Sequence, residues 1–230
     1  MMKREQPIPG GDPKSWTMHE LENFGRIRLS RYFFMRDMLY SEIATVYGLR
    51  NVPNDPTLAV EVGKKLCSTL LEPLHATFGH VSIRSAFRSV TINDCGSKHR
   101  NVAATAYNHA RHVWDRLDDE EKMGGTASIV IPWFIDYLEK RPEMSWKAMA
   151  WWIHDHLCYS EIKFFHHRRP EFEYAAFNIR WHETKIRKKI EGPSGDRIRQ
   201  QEHAPGNHAS EYPGFPKLER PGDFYPDPHG

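Results

Sequence analysis

HVSIRSAFRSVTINDCGSKHRNVAATAYNHARHVWD, residues 80–115, is the stretch on which the reading of the chain turns. It opens with period-two alternation, Val81, Ile83, Ser85 and Phe87 on one side and Ser82, Arg84, Ala86 and Arg88 on the other, the pattern of a strand. Guanidinium groups are costly to bury without partners, so the side bearing Arg84 and Arg88 is expected to look into a wet groove. Ala103 to Trp114 reads as a helix, and the stretch ends on Asn108, His109, His112 and Asp115, a concentration of side chains able to ligate a metal.

Working outward toward the N-terminus, Asp55-Pro56 reads as an N-cap followed by proline at the first helical position. The helix it opens carries Leu58, Val62, Leu66, Leu70 and Leu74 in an i, i+4 stripe, a core-facing pattern. Before it, Asn51-Val52-Pro53 is a turn, and Met35 to Tyr47 reads as an amphipathic helix stopped by Gly48. Residues 1–16, rich in Pro, Gly and charge, are expected to form a flexible arm.

Toward the C-terminus, Asp118 to Glu121 reads as a solvated acidic turn and Thr126 to Ile131 as a strand. Pro132 to Lys140 and Ser145 to His156 read as helices, with Ser145 the N-cap of the second. Tyr159 to Phe165 and Ala176 to His182 read as strands joined by a charged loop, His166 to Glu173. In the second strand Phe177, Ile179 and Trp181 point one way and Asn178, Arg180 and His182 the other, which suits a sheet covering a core and lining a cleft. From Gly192 onward no apolar period is left, and residues 192–230 are expected to be a disordered tail. The expected architecture is α+β, one domain over 17–191 in which helices pack on a small antiparallel sheet.

Composition narrows the function. A chain of 230 residues with 12 % aromatic residues can pack one substantial core, and a net charge of +2 is too balanced to suggest a nucleic-acid partner. Cys67, Cys95 and Cys158 form no CxxC pair, so neither a disulfide framework nor a thiolate zinc site is indicated. The first residues contain no apolar signal region, and no run approaches the ~18 apolar residues of a membrane span. A cytoplasmic protein without a membrane partner is the expectation.

Ser85-Ala86-Phe87-Arg88-Ser89 followed by Asn93 resembles the S-G-Y-R-S…N signature of the zinc D-Ala-D-Ala carboxypeptidases, whose fold is the hedgehog/DD-peptidase fold. L-S-x-x-F at Leu29, N-x-P at Asn51 and L-L-E-P-L at Leu70 precede it in the family's order, so the resemblance covers roughly residues 30–115. The family continues into S-x-H-x-x-G-x-A-x-D, whose His and Asp hold zinc. Asp115 fits that segment, while in strict register Asn108, not His109, stands at the histidine. The family's third ligand is a histidine after tryptophan on a late strand, a context matched by Trp181-His182 after Tyr159-Ser160-Glu161.

The resemblance thus implies Zn²⁺ on His109, Asp115 and His182, with His112 a substitute for His109. It implies a carboxylate base for the metal-bound water, Glu161 with Glu183 as runner-up, and Arg88 with Ser85 at the substrate, the arginine gripping a carboxylate. Ser85 and Asn93 are expected mainly to stabilise the loop. His154 and His156 are two apart on a helix and cannot share a face, which speaks against a second metal site; His166-His167-Arg168-Arg169 reads as a solvated basic loop. Two functions follow: a zinc peptidase acting on short peptides, those of the cell wall included, or a non-catalytic descendant that binds a peptide, cell-wall fragment or protein partner, with a phage or mobile element as the alternative origin.

Overall fold

The structure, a computed structural model, describes residues 7–99, 103–165, 176–198, 206 and 208–219. The first part of the chain is helical: α1 (Met18–Gly25), α2 (Met35–Met38), α3 (Glu42–Tyr47), α4 (Pro56–Leu66) and α5 (Glu72–Phe78). Strand β1 (Ser82–Ser85), α6 (Val90–Lys98) and α7 (Thr105–Asn108) follow, then β2 (Gly124–Val130), α8 (Pro132–Lys140) and α9 (Trp146–His156). Strands β3 (Glu161–Phe164), β4 (Ala176–His182), β5 (Lys189–Glu191) and β6 (Arg197–Ile198) complete a six-stranded sheet in the order β1-β2-β4-β3-β5-β6. Every neighbouring pair is antiparallel except β3 with β5. The mixed helical and mostly antiparallel architecture is the α+β class expected from the periodicities. Among the described residues no helix is long and apolar enough to cross a membrane.

Local chemistry explains most helix starts. Asp55 accepts a hydrogen bond from the Leu58 amide at 3.0 Å and Pro56 fills the first turn of α4. Ser89 caps α6 from the Ile92 amide, and Ser145 caps α9 as expected. The apolar stripe from Leu58 to Leu74 spans α4, a π-helical stretch at Cys67–Leu71, and α5. Pro73 has no N–H to return to residue 69, and the Glu72 amide reaches back one residue further than usual, to the Cys67 carbonyl. The widened turn keeps Leu66, Leu70, Leu71 and Leu74 fully buried on one side.

Helix α4 packs on β2 and β4, whose inward residues Ala127, Ile129, Phe177 and Ile179 are fully buried. The approach is close: a Cβ at Gly125 would stand 2.6 Å from Val62 Cγ1. That leaves the other side of β2, β3 and β4 for polar residues.

Several expected elements are shorter than their periodicity. The single helix over Met35 to Tyr47 is two, α2 and α3, because carbonyls that would continue it are taken elsewhere. The Met38 oxygen accepts from the Phe87 amide at 3.0 Å and the Leu39 oxygen from Asn51 Nδ2 at 2.9 Å. The strand over 81–88 is paired only at Ser82–Ser85, with a register shift between Ile83 and Ser85. Arg84 is exposed, and beyond the strand Ala86, Phe87 and Arg88 are all buried, so the two arginines do not share a face. The helix expected over Ala103–Trp114 is confined to α7.

The terminal segments are also more engaged than their composition suggests. Trp16, 3 % exposed, lies 5.2 Å from the Phe24 ring, and Arg50 donates to the Lys14 and Trp16 carbonyls, so part of the expected flexible arm is pinned. In the expected disordered tail, β6 pairs with β5, and Phe215 sits among Phe78, Trp133, Phe134 and Tyr137 at ring distances of 4.7–6.2 Å. Asp155 of α9 accepts from the Gly206 and His208 amides, His208 Nδ1 and the Tyr212 hydroxyl. Burial would raise the Asp155 pKa, but these hydrogen bonds hold it down at about 2. A short polar segment without helical or strand period can therefore dock through a few aromatic rings and one multiply bonded carboxylate.

Candidate ligand-binding cleft

Strand polarity places the candidate site. The side chains of β2, β4 and β3 that face away from α4 include Thr126, Ser128, Asn178, Arg180, Glu161 and Lys163, and all six line one cleft. Pairing registers set Thr126, Arg180, Glu161 and Lys189 in one cross-strand row, and Ser128, Asn178 and Lys163 in the next. The segment after α7 runs over these rows. Arg180 Nε donates to the Ala110 carbonyl at 3.1 Å, and the Thr126 amide donates to the Arg111 carbonyl at 2.8 Å. Ala110 takes a left-handed φ of 49°, and a Cβ at Gly124 would stand 2.4 Å from its carbonyl oxygen, so glycine is required for this approach. Between strands and segment lies a cleft of about 390 Å³ bearing Arg88, Asn108, Arg111, His112, Glu161 and Arg180.

The floor is an ion-paired cluster. Arg111 reaches both oxygens of Glu161 at 2.7 and 2.9 Å, and Arg180 adds a hydrogen bond to Oε1 at 2.8 Å. Burial alone would raise the Glu161 pKa, but the hydrogen bonds and charges of Arg111 and then Arg180 outweigh it and hold the carboxyl at about 2. Glu161 is thus ionised with both oxygens engaged. Lys163, in the adjoining row, pairs with Glu191 at 2.6 Å.

At the head of the cleft stands Arg88, whose position is fixed from three sides. Asn51 Nδ2 donates to the Phe87 carbonyl at 2.9 Å and Asn51 Oδ1 accepts from the Ser89 amide at 2.8 Å, clamping the backbone on either side. The Arg88 amide itself donates to the His112 carbonyl at 2.7 Å. Its guanidinium donates to Asn93 Oδ1 at 3.2 Å, an oxygen that also accepts from Asn108 Nδ2 at 3.0 Å. Among the described residues no carboxylate pairs with Arg88, and burial lowers its pKa to about 10.

His112 shares the head of the cleft. Its Nδ1 lies 2.8 Å from the Ala86 carbonyl, which only accepts, so Nδ1 carries the proton and Nε2 holds a lone pair. Burial, and then the charge of Arg88, lower the His112 pKa to about 3, so the ring is neutral at ordinary pH.

The residues expected to hold zinc are dispersed among different partners. His109 is half-buried in the turn after α7. Asp115 is buried with Oδ2 accepting from the Asn54 amide at 2.6 Å, and its Oδ1 is buried without a partner among the described residues. Burial raises the Asp115 pKa, favouring a protonated acid. His182 Nε2 donates to Asp118 Oδ2 at 2.9 Å, while Nδ1 accepts from the Thr184 and Lys185 amides. Both ring nitrogens are therefore spent, whereas a zinc ligand must offer a free lone pair. As arranged, His109, Asp115 and His182 do not fit a shared zinc ion, and among the described residues no group of three or more His, Cys, Asp or Glu is placed to hold a metal. Asp118, expected in a solvated turn, instead joins His182 to Lys185; burial opposes but the Lys185 hydrogen bond and others prevail, and its pKa is depressed.

Of the other expected site residues, Ser85 lines a second groove that meets the cleft at Arg88 and Ser128, and Glu183 turns to the Met123 amide. His154 bonds the Tyr159 hydroxyl while His156 stacks on Trp152, so the two rings have different partners. His166 to Arg169 lie outside the described residues. Sequence reasoning gave Arg111 no place in the site and offered Arg180 only as an alternative ion-pair partner of Glu161, beside Lys163. The alternation Asn178-Arg180-His182 pointed to Arg180 on the polar face, but nothing in the pattern near Arg111 marked it. Comparison with protein-family models, with curated proteins and with solved structures found no match.

Proposed function

We propose that the protein is a non-catalytic binder of short peptides or cell-wall peptide fragments, with a ligand carboxylate seated on Arg88. The observation that carries this reading is a guanidinium 8 % exposed, fixed at the head of a cleft, whose side chain has, among the described residues, only a neutral amide oxygen as partner. An unpaired buried cation is expensive, and a carboxylate entering the cleft would supply two parallel charge-assisted hydrogen bonds. The S-A-F-R-S resemblance supports the same assignment.

Glu161 favours binding over hydrolysis. A general base needs an available lone pair and a pKa near the working pH, whereas both Glu161 oxygens are engaged and its pKa lies at about 2. Its role in this reading is to hold Arg111 and Arg180 in the floor of the cleft.

Titration calorimetry with acetyl-Ala-Ala, in the D,D and L,L forms, tests the proposal against the corresponding C-terminal amides. The free acid should bind at least roughly tenfold more tightly than the amide, as a charged hydrogen bond requires. Arg88→Ala should abolish that preference. Equal binding of acid and amide, or release of the terminal alanine by the protein with or without added zinc, would overturn the reading.

A further inference from the structure

The head of the cleft carries an acceptor as well as a cation, and the acceptor has not been used. His112 is 5 % exposed, lines the same cleft as Arg88, and among the described residues its Nε2 has no hydrogen-bond partner. The two residues are tied rigidly, since the Arg88 amide donates to the His112 carbonyl at 2.7 Å and the His112 ring is anchored on the Ala86 carbonyl. Nε2 is not among the fully buried atoms, so its lone pair is reachable from the cleft.

We infer that the cleft selects carboxylates carried by an amide-linked residue, with the amide N–H of that terminal residue donating to His112 Nε2 while its carboxylate sits on Arg88. The inference rests on the assignment of Arg88 to a carboxylate. In an N-acylated amino acid the amide nitrogen and the carboxylate carbon are both bonded to one Cα, about 2.5 Å apart. A neighbouring cation and neutral acceptor can therefore address both at once.

The carboxylate and side-chain amide acceptors nearest in the cleft are committed. Both Glu161 oxygens are taken by Arg111 and Arg180, and Asn93 Oδ1 receives Arg88 and Asn108. The Asn178 oxygen is bonded by the Ser128 hydroxyl. Burial, with the positive charges of Arg88 and Arg111 adding to it, keeps the His112 ring from taking up a proton and preserves it as an acceptor. A simple carboxylic acid would satisfy Arg88 alone. An ester-linked residue would set an oxygen lone pair against that of Nε2.

The test compares acetyl-Ala-Ala with its ester analogue, in which the last amide N–H is replaced by oxygen and the carboxylate is kept. Wild-type protein should bind the amide roughly tenfold more tightly than the ester, the worth of one neutral hydrogen bond. His112→Ala should bring that ratio close to one, and His112→Gln, whose side-chain oxygen can reproduce the Nε2 acceptor, should restore part of it. A structural role alone would weaken both probes equally. Should the variants fail to fold, ¹⁵N NMR of the wild-type histidine ring decides: Nε2 should be unprotonated at neutral pH and shift with the amide but not with the ester. Equal binding of amide and ester, both lost in Arg88→Ala, would overturn the inference and leave the carboxylate site standing. Failure of both acids to bind would overturn the two together.

Discussion

At the floor of the cleft the Arg180 side chain, 4 % exposed, lies against an ionised Glu161 that also holds Arg111. At its head Arg88, buried to a similar degree, has among the described residues only the Asn93 side chain for its guanidinium. The first cluster is internally paired: each arginine has the Glu161 carboxylate as partner, and removing Glu161 leaves two neighbouring cations stranded. The second is incomplete, with a cation and a neutral lone pair both turned to the cavity. The difference separates charge that maintains the fold from charge held ready for a ligand, although both sit on one wall and look alike in composition.

The sharpest way to break this contrast is to neutralise the floor. Glu161→Gln keeps the shape and strands Arg111 and Arg180 beside one another. Unfolding in urea should show a loss of roughly 3–5 kcal/mol, the usual cost of breaking a buried pair from one side. An unchanged midpoint would mean that the floor is not a structural cluster.

A region remote from both ends provides a control. Phe215→Ala removes a partly buried ring from the aromatic cluster beside α8 and should cost roughly 2–3 kcal/mol, somewhat below the 3–5 of a fully buried phenylalanine. Binding of acetyl-Ala-Ala should persist at temperatures where the variant is folded. A variant as stable as wild type would show that the docking of residues 208–219 contributes nothing.

Acid should weaken the head before the floor. His112 has its folded pKa lowered to about 3 from an ordinary value near 6.5, so below 6.5 the unfolded chain takes up a proton that the folded chain refuses. Stability supplied by the neutral ring is present above pH 6.5 and falls as pH drops, by about 2 kcal/mol between 6.5 and 5. Glu161, depressed from 4.5 to about 2, adds its loss only as pH falls below 4.5. Denaturation measured across this range should show His112→Gln with a flatter slope between pH 6.5 and 5 than wild type. Identical slopes would mean that the ring is not held neutral.

The smallest expected effect is also the most discriminating. Arg88→Met replaces an unpaired buried cation by an apolar chain of similar length, and stability should change by no more than about 1 kcal/mol, in either direction. Acid-over-amide preference should nevertheless vanish. A large destabilisation would move Arg88 into the same class as Arg180 and erase the contrast.

Two of the motifs behind the family resemblance meet at Arg88. Asn51 of N-x-P clamps the carbonyl of Phe87 and the amide of Ser89, Asn93 receives the guanidinium, and Glu72 of L-L-E-P-L bonds Ser30 of L-S-x-x-F at 2.5 Å. These contacts join segments up to 42 residues apart. Asn51 answers backbone groups, whereas the Asn93 and Glu72 contacts join side chains.

Local pattern by itself determined the caps at Asp55 and Ser145, the stripe from Leu58 to Leu74, and the inward and outward faces of β4, because hydrogen-bond capping and side-chain periodicity act within a few residues. Only the tertiary structure decided where the helical signal after Ala103 would stop. There the Ala110, Arg111 and His112 carbonyls are taken by Arg180, Thr126 and Arg88, each distant in sequence, and the segment opens over the sheet. The same packing put Asp118 on His182, Arg111 on Glu161, and Phe215 against α8, pairings set by which surfaces meet when the sheet closes on its helices. A side chain's partner across the fold depends on strand register and loop path, neither of which is written in the spacing of the residues that meet.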